Sequence, residues 1–345
     1  MQDKPKGTLA DLIMAYRMRW KRRRLLFRVL RKRHQISALA NRTASIKPGA
    51  ILAFCTVRNE ATRLPFFLDH HRALGVDHFL MVDNGSDDGT LELLRDQPDI
   101  SLWITPHSYR LSRFGVDWLG WLQMKHGHGH WCLTLDADEL FLYPHHDSRP
   151  LSDLTAFLDA TNTPSMGALM LDMYPKGPLN AQSHHPGQNP VETLPWFDAG
   201  PYSVTRQPRM KNLWVQGGPR ARMFFADRPE RAPTMNKIPL VRWNRRHAYV
   251  SSTHSMLPPR LNDVFAPGGP DQISGVLLHT KFLPGIDARS AEEQARQEHF
   301  ANSTLYDDYY DHLTRNPDLW CEASLRYESW QQLEALGLMS RGSWN

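Results

Sequence analysis

Three apolar runs rich in β-branched and aromatic residues break off into polar clusters. ILAFCTV at 51–57 gives way to Arg58-Asn59-Glu60, HFLMV at 78–82 to Asp83-Asn84-Gly85-Ser86, and WCLTL at 131–135 to Asp136-Ala137-Asp138-Glu139. Apolar runs this short, bounded by polar residues, predict buried strands. Between the first two, ATRLPFFLDHHRALG is apolar at helical spacing and closes on Gly75 as a C-cap; after the second, LELLRDQ resumes a helical pattern. Strand, helix, strand, Gly-containing turn, helix is the order of an α/β chain with a Rossmann-like, mostly parallel sheet flanked by helices. MGALMLDM and GVLLHTKF add two more strand patterns, ending at Asp172 and His279.

In such a sheet the carboxyl ends of the strands are where ligands sit. Asp136 and Asp138 are two apart, so in an extended segment they leave on one face, where ionised carboxylates repel unless a cation compensates them. Hard oxygen ligands in this number suit Mg²⁺ or Mn²⁺. The competing role for Asp138 and Glu139 is to cap the element that follows. The turn Asp83 to Thr90 offers an acceptor and an amide to a base or ribose, with Gly85 and Gly89 allowing tight backbone geometry. A plain helix cap is the alternative there.

Taken together, the order and spacing of VRNE, VDNGSDDGT and LDADE resemble the family 2 glycosyltransferases, strongly over 50–140 and more loosely to about 285. The resemblance implies a GT-A fold and inverting sugar transfer from a nucleotide-sugar, a UDP-sugar, to a carbohydrate or lipid-linked acceptor. It further implies Mn²⁺ or Mg²⁺ as cofactor. Thr56, Arg58 and Glu60 match the family's first nucleotide-contacting segment. Asp83 and Asn84 match the pair at the base or ribose, with an amide standing at the usual second carboxylate. Asp136 and Asp138 match the diphosphate and metal motif. His279, beside Lys281, is the candidate for the family's late metal-reaching histidine, with His254 as the alternative. Gly217 to Arg222 stands for the Gly-containing loop, and Asp172 is ranked as the acceptor's base ahead of Asp198, Asp227 and Glu230. Rival readings are a nucleotidyltransferase, although VRNEATRLP lacks a phosphate-loop glycine, and a catalytically silent nucleotide-sugar-binding protein.

Charge changes the picture at one end. Residues 1–50 hold fourteen Lys or Arg against Asp3 and Asp11, net +12, so with +5 for the whole chain the remainder carries −7. YRMRWKRRRLLFRVLRKRH reads as a basic amphipathic helix with an aromatic edge, suited to an anionic membrane surface. No run is long and apolar enough for a spanning helix. A nucleic-acid partner is disfavoured by the acidic remainder and the lack of a known module. The expectation is therefore a cytoplasmic protein, peripheral on the cytosolic face of a membrane. Cys55, Cys132 and Cys321, an odd number scattered singly, argue against a disulfide framework. The expected organisation is a basic segment over 1–47, a GT-A domain over 48–285 with long loops between 175 and 220, and a C-terminal helical region over 286–345. The alternating Lys125-to-His130 tract is expected to be a solvated loop.

Overall fold

The computed structural model describes residues 9–266, 271–287, 289–290 and 307–345. A nine-stranded sheet lies at its centre. In chain order its strands are β1 (Ser37–Ala40), β2 (Ile51–Val57), β3 (His78–Asp83), β4 (Ile100–Ile104), β5 (Trp131–Thr134), β6 (Glu139–Leu142), β7 (Ser165–Asp172), β11 (Asn236–Arg242) and β14 (Gly275–His279). Outside it lie the short strands β8 (Trp196–Asp198), β9 (Tyr202–Arg206), β10 (Leu213–Gly217), β12 (Ala248–Tyr249), β13 (Met256–Leu257) and β15 (Ser324–Arg326).

Across the sheet the order is β1-β4-β3-β2-β5-β11-β7-β14-β6. Parallel pairing joins β4 to β3, β3 to β2, β2 to β5 and β7 to β14, while β1, β11 and β6 run against their neighbours. Six strands therefore point the same way, which is the mostly parallel, Rossmann-like α/β class expected from the hydrophobic pattern. The chain winds outward from β2 through β3 to β4, then returns past β2 to β5. In open α/β sheets this reversal is where ligands bind, in the crevice beyond the carboxyl ends of the strands.

Alternation along the strands fills two cores. Ile51, Ala53, Cys55 and Val57 of β2 face one layer with Phe67 and Leu68 of α2 (Leu64–Leu74), and Leu154 and Leu158 of α5 (Leu151–Ala160). Leu52 and Phe54 face the other with Trp118 and Leu122 of α4 (Val116–Leu122). Gly75 ends α2 at φ 104°, the left-handed cap its sequence signalled. Asp83-to-Thr90 leads into α3 (Thr90–Arg95).

The N-terminal segment is not separate from this body. Helix α1 (Leu9–Lys32) packs on α4, where Val29 lies so close that a Cβ on Gly120 would sit 3.1 Å from its methyl carbon. Arg28 Nε meets the fully buried Asp117 at 2.6 Å, and Trp118 donates its indole N–H to Gln35 at 3.0 Å. β1 then pairs with β4 as the sheet's edge. The expected boundary at 47 thus falls inside one packed unit.

Three further expectations change. The stretch 175–220 is more ordered than long loops: it holds the short helix α6 (Pro190–Thr193), β8 and the β9–β10 hairpin, followed by α7 (Gly218–Phe224). The C-terminal CEASLRYESWQQLEALGLM, read as one helix, instead gives β15 paired to β8 and a helix confined to Trp330–Ala335, because Ser329 caps it by accepting from the Gln332 N–H. Of the helical pattern read over 290–313, residues 291–306 lie outside the described residues and Asp307–Thr314 is helical. The Lys125-to-His130 tract is not a loose loop either. Gln123–Gly127 is a single π-turn, with buried Gly127 against Cys132 and Trp243, and His130 Nδ1 is bound to the Ala50 carbonyl at 2.8 Å.

Deleting residues 1–40 opens the α4 face and the β4 edge and removes a partner of buried Asp117. The expected cost is on the order of 3–5 kcal/mol, the scale for breaking a buried pair, read as a lower denaturant midpoint; an unchanged midpoint would show that α1 and β1 add nothing to the fold.

Candidate functional site

β5 stops at Thr134 and β6 starts at Glu139, so the acidic cluster is the turn between two antiparallel-directed strands rather than a straight strand end. That turn sends its two aspartates to different partners. Asp136 Oδ2 lies 2.7 Å from Lys237 Nζ, and the same ammonium lies 2.7 Å from Glu139 Oε1. Glu139 Oε2 also accepts from the Asp136 N–H at 3.0 Å, closing the turn. Lys237 reaches this place because β11 runs against its neighbours and brings its first residues to the edge where β5 and β7 end. Burial disfavours a charged Lys237, but Asp136 and Glu139 outweigh it and raise its pKa. Burial pushes the Glu139 carboxyl up to about 7 against the pull of Lys237.

Asp138 turns the other way. Its Oδ2 lies 3.2 Å from His279 Nε2, whose Nδ1 lies 2.6 Å from Asp172 Oδ1. Asp172 Oδ2 is held by Arg220 Nε at 2.7 Å. Residues 172 and 279 are register partners on adjacent parallel strands, so the sheet itself places the histidine on the carboxylate. The backbone reinforces the link: Thr280 donates its N–H and its hydroxyl to the Asp138 carbonyl at 2.7 and 3.0 Å. Burial would raise the Asp138 pKa, but His279, then Arg63 and Lys281, hold it well below the usual carboxylate range. Burial would lower that of His279, and Asp138 and Asp172 raise it instead. Asp172 is lowered because Arg220 and His279 outweigh its burial.

Asp172 therefore departs from the expected base. It is 0 % exposed with both oxygens taken, so an acceptor hydroxyl cannot reach it without breaking an ion pair. Its geometry is that of a residue that orients His279. Of the other base candidates, Asp198 is bound by Arg222 and Tyr174, while Asp227 and Glu230 are exposed. His254, the alternative to His279, gives Nδ1 to the Asn236 carbonyl at 2.6 Å. The Gly217-to-Arg222 segment is the entry to α7, and its two arginines serve Asp172 and Asp198.

The first segment is brought to the same edge but is internally engaged. Glu60 pairs with Arg63 at 2.8 Å and Arg289 at 3.2 Å, and burial, against Arg63, pushes its carboxyl up to about 7. Arg58 donates to the carbonyls of Asn84 and Gly85 at 2.9 and 2.7 Å. Thr56 Oγ1 is buried without a hydrogen-bond partner, packed beneath Gly115, where an added Cβ would lie 2.5 Å away. Asp83 caps its own turn, accepting from the Gly85 and Ser86 N–H groups at 2.9 and 3.0 Å and from the Ser86 hydroxyl. Asn84 donates to the carbonyls of Thr105 and His107 at 3.1 and 2.9 Å. Both are almost fully buried. Where a base or ribose contact is expected, Asp83 instead closes its own turn and Asn84 ties it to the segment after β4.

Two of the expected cation ligands fit such an ion. A neutral His279 that donates from Nδ1 to Asp172 leaves Nε2 facing Asp138, and 3.2 Å matches the roughly 3 Å between neighbouring ligands of an ion with bonds of about 2.1 Å. Asp136 does not fit as drawn from sequence, because Lys237 already compensates it. Among the described residues there is no cluster of three or more His, Cys, Asp or Glu side chains able to hold a metal. A two-ligand site completed by phosphate oxygens and water is how Mg²⁺ is commonly held. Sequence reasoning missed Lys237 and Arg63; a lone lysine opening the strand pattern NKIPLVR was the available signal.

No family model matches the chain, and no curated protein matches it. Among solved structures, a Bacillus anthracis protein described as a glucose-1-phosphate thymidylyltransferase, in complex with sucrose, is similar at 9% identity. The match covers 76% of this chain and 82% of that one, with a TM-score of 0.29. A likeness this low carries no argument about activity; the fold class rests on the topology above.

Lys237→Met leaves buried Glu139 without its cation and is expected to destabilise by about 3–5 kcal/mol. Adding Glu139→Gln should recover part of that loss. Additive costs in the double-variant unfolding cycle would show that the two groups do not interact.

Proposed function

We propose that the chain is a glycosyltransferase that moves a sugar from a nucleotide-sugar to a carbohydrate or lipid-linked acceptor, with inversion, in the crevice beyond β2, β5, β7 and β14. One observation carries this reading: the Arg220–Asp172–His279–Asp138 chain, built across adjacent strands, meets the acidic turn at the sheet's point of reversal. A histidine that ligates a metal commonly donates its other ring N–H to a carboxylate in this way.

In this reading Asp138 and His279 hold Mg²⁺ or Mn²⁺, and Asp172 fixes the histidine's ring nitrogen and orientation. A bound divalent ion supplies positive charge where the leaving nucleoside diphosphate gathers negative charge. Lys281, buried two residues beyond the His279–Asp172 register pair, adds a cation on the same side. Arg63 anchors that end of β14 by donating to the carbonyls of Thr280 and Lys281 at 3.3 and 3.2 Å. The turns of Arg58 and Asp83 present backbone groups and the Arg58 stem to the nucleotide, with a UDP-sugar as the preferred donor. Bond cleavage at the anomeric carbon releases a nucleoside diphosphate, whereas nucleotidyl transfer from the same donor would break the bond between its phosphates and release a sugar 1-phosphate.

The test is a screen of nucleotide-sugar turnover with Mn²⁺, reading both products by mass spectrometry. Nucleoside diphosphate is expected, lost on chelation and in Asp138→Asn. Asp172→Asn should weaken metal-dependent turnover by about 10–100-fold while the fold persists. Sugar 1-phosphate as the product, or full activity of Asp138→Asn, would overturn the assignment.

A further inference from the structure

Helix α1 packs on the body with one face and leaves the opposite face apolar. Leu9, Ile13, Tyr16, Trp20 and Phe27 follow helical spacing and are all exposed, with Trp20 47 % and Phe27 63 % accessible. Tyr16 and Trp20 pack edge to face at 6.1 Å, and the Arg23 guanidinium lies 5.3 Å from the Trp20 ring. The helix carries nine Lys or Arg and one acid, Asp11.

The tertiary structure adds cations that the sequence keeps far away. On one flank the tip of the β9–β10 hairpin, with exposed Arg209 and Lys211, comes up to the helix where Lys21 Nζ lies 3.6 Å from Met210 Sδ. On the other, Arg22 faces Arg246 and Arg260, both exposed; after burial, these and Arg19 and Arg23 depress its pKa. His247 beside them is pushed down to about 4 by burial, Arg260 and Arg22. Within these flanking segments, 206–211, 244–247 and 259–263, the one acid is Asp263. At the crevice edge the opposite holds: Glu60 lies against Arg63, Asp172 against Arg220 and Glu139 against Lys237.

Concentrating like charge from four segments costs free energy that a polyanionic partner returns. A nucleic acid would use the arginines but has no use for an aliphatic and aromatic ridge. A bilayer uses both, taking the ridge into the boundary between headgroups and acyl chains and the arginines at anionic headgroups. We propose that α1, the β9–β10 tip, Arg245–Arg246 and Arg260 together form a docking surface for an anionic lipid bilayer. β11 leads from Lys237 at the crevice to Arg242 at the other end of the sheet, so Arg245–Arg246 lie beyond the end opposite the crevice. Docking there leaves the crevice open. The inference does not rest on the sugar-transfer reading, since lipid binding and turnover are measured separately.

The experiment is co-sedimentation of the full chain with phosphatidylcholine vesicles, with and without phosphatidylglycerol, over a salt series. Binding is expected with phosphatidylglycerol alone and should weaken as salt rises. Trp20→Glu should abolish it, and Arg246→Glu with Arg260→Glu should reduce it on the order of tenfold, both with an unchanged circular-dichroism spectrum. Binding that survives Trp20→Glu overturns the role of the ridge; binding unaffected by Arg246→Glu with Arg260→Glu overturns the composite surface. Tighter binding to duplex or single-stranded RNA at matched charge and salt, or a dimer in lipid-free solution that Trp20→Glu converts to monomer, assigns the surface to another occupant and sinks the proposal.

Discussion

Carboxylates cannot be gathered at the end of a buried sheet unless cations are brought in with them, because an ion removed from water without a partner costs several kcal/mol. The edge over β2, β5, β7 and β14 is arranged around that constraint. Glu139 is compensated by Lys237, Asp172 by Arg220 and Glu60 by Arg63. Each cation comes from a different part of the chain: the antiparallel β11, the entry to α7 and the start of α2. The direction of β11 is what makes the acidic turn tenable, since a parallel strand at that position would carry Lys237 to the opposite end of the sheet.

Compensation also sorts the site. Asp136 and Glu139 share Lys237 and so belong to the framework of the turn, while Asp138 faces a histidine whose other nitrogen is held by a buried carboxylate. A side chain that is both positioned by a second residue and partly open to the crevice is placed to meet a ligand. Asp83 and Asn84 sit at the corresponding end of β3, yet their hydrogen bonds are spent on the turns they shape. Proximity to the crevice is shared by all these residues; unspent hydrogen-bonding capacity is not.

Around α1, by contrast, like charges are gathered side by side. α1 rests on α4 through Val29 and the Arg28–Asp117 pair, and the arginines that remain are joined by others from the body. The two regions differ in the physics they impose: one pairs its buried carboxylates with cations, the other gathers arginines next to exposed Trp20 and Phe27.

What the sequence determined by itself follows from local rules. Short apolar runs such as ILAFCTV, the helical spacing closed by Gly75 and the polar breaks after each run specify the strands, the flanking helices and the edge where they end. They also identify Asp136, Asp138, Asp172 and His279 as residues arriving at strand ends. Local rules could not say which of these would be neutralised, because pairing depends on which strands become neighbours, and the 172–279 register and the reach of Lys237 join residues about a hundred positions apart. The same limit made CEASLRYESWQQLEALGLM look like one helix, when pairing of β15 with β8 claims its first part. It made residues 1–47 look like a basic amphipathic segment apart from the domain, when α1 packs on α4 and β1 completes the sheet's edge. Periodicity is encoded in the order of the residues, but charge compensation and strand adjacency exist only once distant segments have met.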